Sequence, residues 1–199
     1  MEGQSKINPT LAVFSIKIFE GSNFKTMNLP DRLKQITTFV FDMDGVLTDG
    51  TLLVFDTIQP IRRMHIRDGY ALQLAIKKGY RVVVISGSSS DAVVARLNGL
   101  GVMDVYMKET DKKSRLNQYV ELNKLSWDEV LFMGDDMPDY AVMKIVGLAC
   151  APVDAATEIK EIAHYISPSK GGKGCARDVI EKVLKLNDAW DLESGIASR

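Results

Sequence analysis

Residues 36–50 read ITTFVFDMDGVLTDG. The first six residues are apolar, aromatic or β-branched, and a short continuous run of this kind predicts a strand that is buried on both faces of a sheet. Asp42, Asp44 and Gly45 follow at once, and residues of these types end a strand. The stretch therefore predicts a buried strand with two carboxylates at its carboxyl end.

Downstream of this stretch, short apolar runs alternate with segments of helical period. Five more strands are predicted, over residues 81–86, 102–107, 129–133, 147–151 and 164–167. Six helices are predicted, over residues 68–78, 90–100, 112–124, 138–146, 154–163 and 175–186. Alternation of this kind is typical of βαβ units, so we expect an α/β fold with a doubly wound, mostly parallel sheet.

Two segments depart from the alternation. Residues 51–66 read TLLVFDTIQPIRRMHI, two extended runs around residues 56–60, and predict a small β-hairpin insert and no large cap domain. Residues 1–26 show no clear period and predict a poorly ordered N-terminal extension. A chain of 199 residues has room for one ordinary domain, which we place at residues 27–199.

Composition excludes several classes of protein. The 25 Lys and Arg residues nearly balance the 26 Asp and Glu residues, for a net charge of −1. This balance argues against nucleic acid or an anionic membrane as the main partner. No uncharged stretch approaches the roughly 18 residues of a membrane-spanning helix. The two cysteines, Cys150 and Cys175, fit a reducing compartment, and we expect a cytoplasmic protein.

Polar residues follow four of the predicted strands. They are Asp42 and Asp44 after the first, Ser86 and Gly87 after the second, Lys112 in the loop after the third, and Asp135, Asp136 and Asp139 after the fourth. Ligands of such sheets bind at the carboxyl ends of the strands, so we expect these side chains to meet. Clustered carboxylates need a cation, and oxygen ligands favour Mg²⁺. An anion cradle and a lysine beside that cation suit phosphoryl transfer, with a carboxylate as nucleophile.

The four clusters resemble, in order, the four motifs of the haloacid dehalogenase superfamily of phosphatases. The resemblance extends from about residue 36 to the final predicted helix. More narrowly, HIRDGYALQLA, GDDMPD and GGKGCARDVI are similar to segments of its cap-less members that hydrolyse 3-deoxy-D-manno-octulosonate (KDO) 8-phosphate. Those enzymes act in the supply of KDO for lipopolysaccharide.

The resemblance implies a role for each candidate residue of the site. Asp42 is the implied nucleophile, and Asp44 the implied general acid and then general base. Ser86 and Lys112 would hold phosphoryl oxygens, with the neighbouring Lys113 as the alternative to Lys112. The implied Mg²⁺ ligands are Asp42, the backbone carbonyl of Asp44, and Asp135, with Asp136 and Asp139 orienting them.

The resemblance also implies how the substrate is bound. A small sugar phosphate would contact His65, Ile66, Arg67, Asp68, Gly69, Gly87, Arg96 and Arg177. The implied assembly is a homotetramer in which the hairpin and the glycine-rich tail (residues 171–173) approach a neighbouring subunit's site.

Three alternatives remain open at this point. Ser88 stands where many family members have an arginine, and Gln73 where some do, which leaves room for the nine-carbon sugar acid phosphate KDN 9-phosphate as substrate. The other two alternatives belong to different functional classes: a phospho-aspartate signalling domain and a catalytically silent scaffold. Replacement of Asp42 by Asn would separate an enzyme, which loses turnover, from a scaffold, which keeps its binding.

Overall fold

The computed structural model describes residues 27–191 and 195–196, so the extension predicted over residues 1–26 lies outside the described residues. The strands are β1 (Thr38–Phe41), β2 (Arg81–Ile85), β3 (Asp104–Tyr106), β4 (Val130–Met133), β5 (Leu148–Ala151) and β6 (Tyr165–Ile166). The helices are α1 (Leu29–Gln35), α2 (Ile66–Lys77), α3 (Asp91–Gly99), α4 (Lys112–Leu122), α5 (Tyr140–Met143), α6 (Thr157–Ile162) and α7 (Cys175–Leu186).

The six strands form one parallel sheet in the order β3-β2-β1-β4-β5-β6. The strand order reverses at β1, which pairs with β2 on one side and β4 on the other. The predicted α/β fold with a doubly wound parallel sheet is thereby confirmed. Because ligands of doubly wound sheets bind where the order reverses, the carboxyl ends of β1 and β4 are the expected place for a site.

Helices cover both faces of the sheet, and alternate strand residues divide between them. Phe39 and Phe41 of β1 lie in the core shared with α2 and α7, whereas Val40 lies in the core shared with α4 and α5. All four residues of β1 are buried, as expected for a strand packed on both faces. Within the described ranges, no helix is long and apolar enough to cross a bilayer.

Some elements differ from the sequence-based predictions. Residues 51–66 form an antiparallel excursion with only two isolated bridges, Thr48–Met64 and Leu53–Ile61, rather than two regular strands. The helix predicted over 138–146 is shorter, a 3-10 turn (Met137–Asp139) followed by α5. Helix α1 was not predicted, because its seven residues bury a single side chain and show no clear apolar period.

The glycine-rich tail packs against the loop that follows β1 in the same chain. The Gly172 N–H donates to the Val46 carbonyl at 2.9 Å, and Gly172 has a φ of +59°. A Cβ on Gly171 would overlap the Gly45 carbonyl oxygen. The tail therefore supports the loop that carries Asp44, and glycine is needed because two backbones touch there.

Replacement of Gly171 by Ala should destabilise the protein, because its methyl group meets backbone atoms that have no room to move. We expect the free energy of unfolding to fall by about 1–3 kcal/mol, the usual range for overpacking. Chemical denaturation followed by circular dichroism measures the change. The matched control is Gly99→Ala in α3, where a Cβ meets no atom within 4 Å. An equal effect of both variants would contradict the packing argument.

Candidate active site

A cleft of about 300 Å³ opens at the carboxyl ends of β1, β2 and β4. Its lining residues are Asp42, Asp44, Gly50, Ser86, Gly87, Ser88, Lys112, Asp135, Asp136, Pro138 and Asp139. The structure thus brings together all the residues that the sequence placed after the first, second and fourth strands, together with Lys112. The roles of these residues stay predictions, whereas their proximity is observed.

Lys112 is the cation at the centre of this cleft. Its Nζ atom lies 2.8 Å from Asp42 Oδ1 and 2.6 Å from Asp139 Oδ1, and all three side chains are less than a tenth exposed. Lys112 is the first residue of α4, and the Asp111 side chain caps that helix by accepting from the Ser114 N–H. The helix start therefore points Lys112 into the cleft, while the alternative, Lys113, is exposed.

The surroundings of Asp42 raise its pKa to about 6. Burial is the largest cause, the charge of Asp139 adds to it, and Lys112 opposes both. Burial also disfavours the charged form of Lys112, but its two carboxylate partners outweigh this effect and raise its pKa. Lys112 is therefore a permanent positive charge that favours the carboxylate form of Asp42.

Asp135 has more negative than positive charge around it. Carboxylate oxygens of Asp42, Asp135 and Asp139 lie within 4.8 Å of one another, with Lys112 as their nearest cation. Burial and then the charge of Asp42 raise the pKa of Asp135 to about 8. Both Asp139 oxygens already accept hydrogen bonds, from Lys112 and the Asp135 N–H. Asp42 and Asp135 thus fit a hard divalent cation, which oxygen ligands select.

Asp44 lies in different surroundings, although it is only two residues from Asp42. Its carboxylate accepts from Arg62 Nε at 2.7 Å, Arg62 Nη2 at 3.2 Å and the Ser88 hydroxyl at 2.6 Å. Burial would raise the pKa of Asp44, but the hydrogen bonds from Arg62 and Ser88 outweigh it and lower the pKa. The two aspartates of the DMD motif are therefore tuned in opposite directions, a pattern typical of groups with separate roles.

Ser86 and Gly87 lie at the turn between β2 and α3. Ser86 is buried, and its Oγ is 3.2 Å from Ser88 Oγ and accepts from the Ser88 N–H. The Ser90 hydroxyl caps α3 by accepting from the Val93 N–H. This turn presents hydroxyl and backbone donors to the same cleft as Asp42, as an anion cradle requires.

The residues predicted to contact substrate do not all reach this cleft. His65, Arg67 and Arg177 line a separate cleft of about 470 Å³ along α7. Arg96 lines another of about 280 Å³ between α3 and the excursion 51–66. Neither cleft shares a residue with the one that contains Asp42.

The remaining residues of the predicted substrate block have local structural contacts. Asp68 is buried, and its carboxylate accepts from the backbone N–H groups of Gly174 and Arg177, which ties α2 to the start of α7. Gly69 leaves room for Arg96, whose Nη2 lies 3.0 Å from where a Cβ would stand. Ile66 is exposed.

Sequence reasoning missed the donors around Asp44. Arg62 is one of two adjacent arginines in the excursion 51–66, and its side chain is 6% exposed whereas that of Arg63 is 71% exposed. No local pattern separates the two. Ser88 was noted only as a missing arginine, and Thr48, which donates to Asp44 at 3.3 Å, was not noted.

Comparisons with known proteins agree with the fold. The family model for haloacid dehalogenase-like hydrolases matches residues 93–178. A solved structure described as a probable YrbI family phosphatase, from Pseudomonas syringae pv. phaseolica, is 34% identical, with a TM-score of 0.79, over 83% of this chain and 93% of that one. The chain belongs to the haloacid dehalogenase-like phosphatases.

Relatives within this phosphatase family point to one subgroup. The 3-deoxy-D-manno-octulosonate 8-phosphate phosphatase KdsC of Yersinia pestis is 29% identical over 166 residues, 83% of this chain and 89% of that protein. The corresponding enzyme of Moraxella catarrhalis, solved with magnesium, phosphate and KDO, is 26% identical with a TM-score of 0.77, over 79% of this chain and 90% of that one. The resemblance seen in the sequence is thereby confirmed.

Replacement of Asp135 by Asn should stabilise the metal-free phosphatase at pH 8. A folded-state pKa of about 8, against 3.8 as the ordinary value, means that ionisation of Asp135 lowers stability progressively as the pH rises between these values. Thermal unfolding in a chelator should show the variant unfolding at a higher temperature than the wild type at pH 8, and no difference near pH 4. The exposed Asp31→Asn is the control. Equal unfolding temperatures of Asp135→Asn and the wild type at pH 8 would contradict the predicted destabilisation by ionised Asp135.

Proposed function

We propose that this protein is a Mg²⁺-dependent phosphatase that hydrolyses a sugar-acid phosphate monoester, KDO 8-phosphate before others, to the sugar acid and inorganic phosphate. The observation that carries the proposal is the buried contact of Asp42 with Lys112, in a cleft that also holds Asp44 and Asp135. A carboxylate at the carboxyl end of a central strand, held by a fixed cation, has the position and charge of a phosphoryl acceptor.

In the first step, an Asp42 carboxylate oxygen attacks phosphorus and the bond from phosphorus to the sugar oxygen breaks. Lys112 and the donors around Ser86 hold the phosphoryl oxygens. Asp44, which is ionised in the free protein, takes up a proton when the substrate binds and gives it to the departing sugar oxygen. The products of this step are the free sugar acid and an aspartyl-phosphate on Asp42.

In the second step, water attacks phosphorus and the bond to Asp42 breaks. Asp44, now ionised, takes the proton of that water, which returns both aspartates to their state at the start of the first step. The sum of the two steps is hydrolysis of one phosphomonoester by one water. Asp136 and Asp139 act on the other residues of the site by orienting them, and Asp139 does so through Lys112 and the Asp135 N–H.

Mg²⁺ would be held by Asp42, Asp135 and the Asp44 backbone carbonyl, and would supply charge neutralisation for the phosphoryl oxygens and the nucleophile. The excess negative charge around Asp135 supports this assignment. The magnesium in the Moraxella catarrhalis relative is consistent with it.

KDN 9-phosphate is the second candidate substrate, and two observations favour it. Ser88 donates its hydroxyl to Asp44, and the Gln73 amide donates to the Gly69 carbonyl at 3.3 Å. Neither side chain supplies the positive charge of the arginines common at these positions in the octulosonate group. A substrate with different anion contacts would explain both residues.

Phosphate release with Mg²⁺ tests the proposal, with KDO 8-phosphate and KDN 9-phosphate at equal concentrations. A preference of about tenfold in kcat/KM, roughly 1.4 kcal/mol, would assign the substrate. Asp42→Asn should lower kcat by at least about 1,000-fold, because it removes the nucleophile, while the exposed Asp31→Asn should not. Turnover by Asp42→Asn at the wild-type rate would refute the mechanism, and binding without turnover by the wild type would indicate a scaffold or a signalling domain.

We further propose that the protein assembles as a homotetramer through the excursion 51–66. This segment exposes Leu52, Leu53, Val54, Phe55, Ile58 and Ile61, each at least 46% accessible. Several exposed large apolar side chains within one short segment are typical of an interface. Any contribution of the tail to a neighbouring site would come from Lys173, because Gly171 and Gly172 contact their own chain.

Val54→Asp should dissociate the assembly, because it buries a charge in the proposed interface. Light scattering at micromolar concentration should give four times the 22.1 kDa chain mass for the wild type and a smaller mass for the variant. Leu122→Asp is the matched control, since Leu122 is as exposed as Val54 but lies on α4. A monomeric wild type would refute the assembly.

We place this activity in the cytoplasm, in the supply of KDO for lipopolysaccharide. Cys150 and Cys175 are both free and buried, which suits a reducing compartment. The relative from Yersinia pestis, which is named as a KDO 8-phosphate phosphatase, supports KDO as the product.

A further inference from the structure

The Asp44 carboxylate has no acceptor position left for a reacting group. Its Oδ1 atom accepts from Arg62 Nε and from the Thr48 hydroxyl, and its Oδ2 atom accepts from Arg62 Nη2 and the Ser88 hydroxyl. A carboxylate offers about four lone-pair positions, and these contacts use four. The proposed function needs one of them, because Asp44 must exchange a proton with the sugar oxygen and then with water.

Arg62 is the donor that is able to leave. Thr48 is completely buried and its N–H is bonded to the Met43 carbonyl, and Ser88 is held in the turn with Ser86. Arg62 instead belongs to the excursion 51–66, in which the isolated bridge Leu53–Ile61 is internal and the bridge Thr48–Met64 pairs with the preceding loop. Its guanidinium is the end of a long, unbranched side chain, so it can turn away from Asp44 and from Ser88, to which Nη2 also donates at 3.2 Å, while the excursion stays in place.

A cleft for an anion lies next to Arg62. The 280 Å³ cleft between the excursion and α3 is lined by Arg62 and Arg96, and its other lining residues are uncharged. Asp91 stands at its edge, with a carboxylate oxygen 3.5 Å from Gln59 Nε2. Arg62 thus stands between this cleft and the one that contains Asp42 and Asp44. A phosphomonoester long enough to reach from one cleft into the other would contact the Arg62 guanidinium.

We propose that Arg62 is the specificity-determining residue of this chain, and that it selects phosphomonoesters that carry a carboxylate. The substrate carboxylate replaces Asp44 as the partner of the guanidinium, which frees a position on Asp44 for the sugar oxygen. A planar guanidinium binds either carboxylate through two parallel hydrogen bonds. Arg62 therefore keeps an equivalent ion pair when the substrate carboxylate replaces Asp44. A phosphomonoester without a second anion gives Arg62 no replacement and leaves Asp44 occupied.

Arg62→Gln tests this inference, which rests on the proposed function. For the sugar-acid phosphate that the wild type hydrolyses, we expect kcat/KM to fall about 100-fold, because the variant lacks the charge that binds the carboxylate. For p-nitrophenyl phosphate, which lacks a second anion, kcat/KM should rise, since Asp44 is released. For the sugar-acid phosphate, kcat/KM of Arg62→Lys should lie between the values of the wild type and of Arg62→Gln. Arg63→Gln is the matched control, because Arg63 is 71% exposed.

Each other result contradicts a defined part of the argument. Equal losses on both substrates would show that Arg62 only holds Asp44 or the excursion in place, and no loss on either would show that it has no role. The inference would also be overturned if the wild type hydrolysed p-nitrophenyl phosphate but neither sugar-acid phosphate. If Arg62→Gln does not fold, as judged by circular dichroism, the same comparison is made with Arg62→Lys. Undiminished turnover by Asp42→Asn would refute the proposed function instead.

Discussion

The contact of the Lys112 ammonium with Asp42 and Asp139 is the interaction on which the site depends. Without a cation between them, two buried carboxylates this close would repel each other, and one of them would be protonated. Lys112 is supplied by the first turn of α4, whereas its partners follow β1 and β4, so one charge joins three loops. Removing one partner of a buried ion pair leaves an uncompensated charge, which makes the three loops mutually dependent.

The charges of the site divide into a satisfied half and an unsatisfied half. Asp44 has a full set of donors and a lowered pKa. Asp135 has mainly negative neighbours, and its pKa is raised to about 8. The unsatisfied half is where we propose that a divalent cation binds, and the satisfied half is where the proposed substrate displaces a donor. Asp44 and Asp135 thus line one cleft with opposite electrostatic surroundings.

Much of the fold and of the catalytic cleft follows from local pattern. Buried parallel strands are continuous apolar runs, so β1 and its neighbours were predicted to within two or three residues. The motif residues Asp42 and Ser86 directly follow a strand, Asp135 follows β4 after one glycine, and parallel strands bring their carboxyl ends to one edge. The excursion 51–66 was harder to predict, because extended apolar runs do not show whether they form a regular ladder. Helix α1 was missed because it buries only Leu33.

The sequence by itself determined the parallel sheet, the order of its motifs and the carboxylates that meet at its edge, because period and spacing along the chain fix these. Only the tertiary structure distinguished Arg62 from Arg63, or placed Arg177 of α7 and Arg96 of α3 in clefts separate from the one that contains Asp42. These residues have the same side chain and no distinguishing neighbours in sequence. Their burial and partners depend on which surfaces come together over long separations, and local pattern contains no such information.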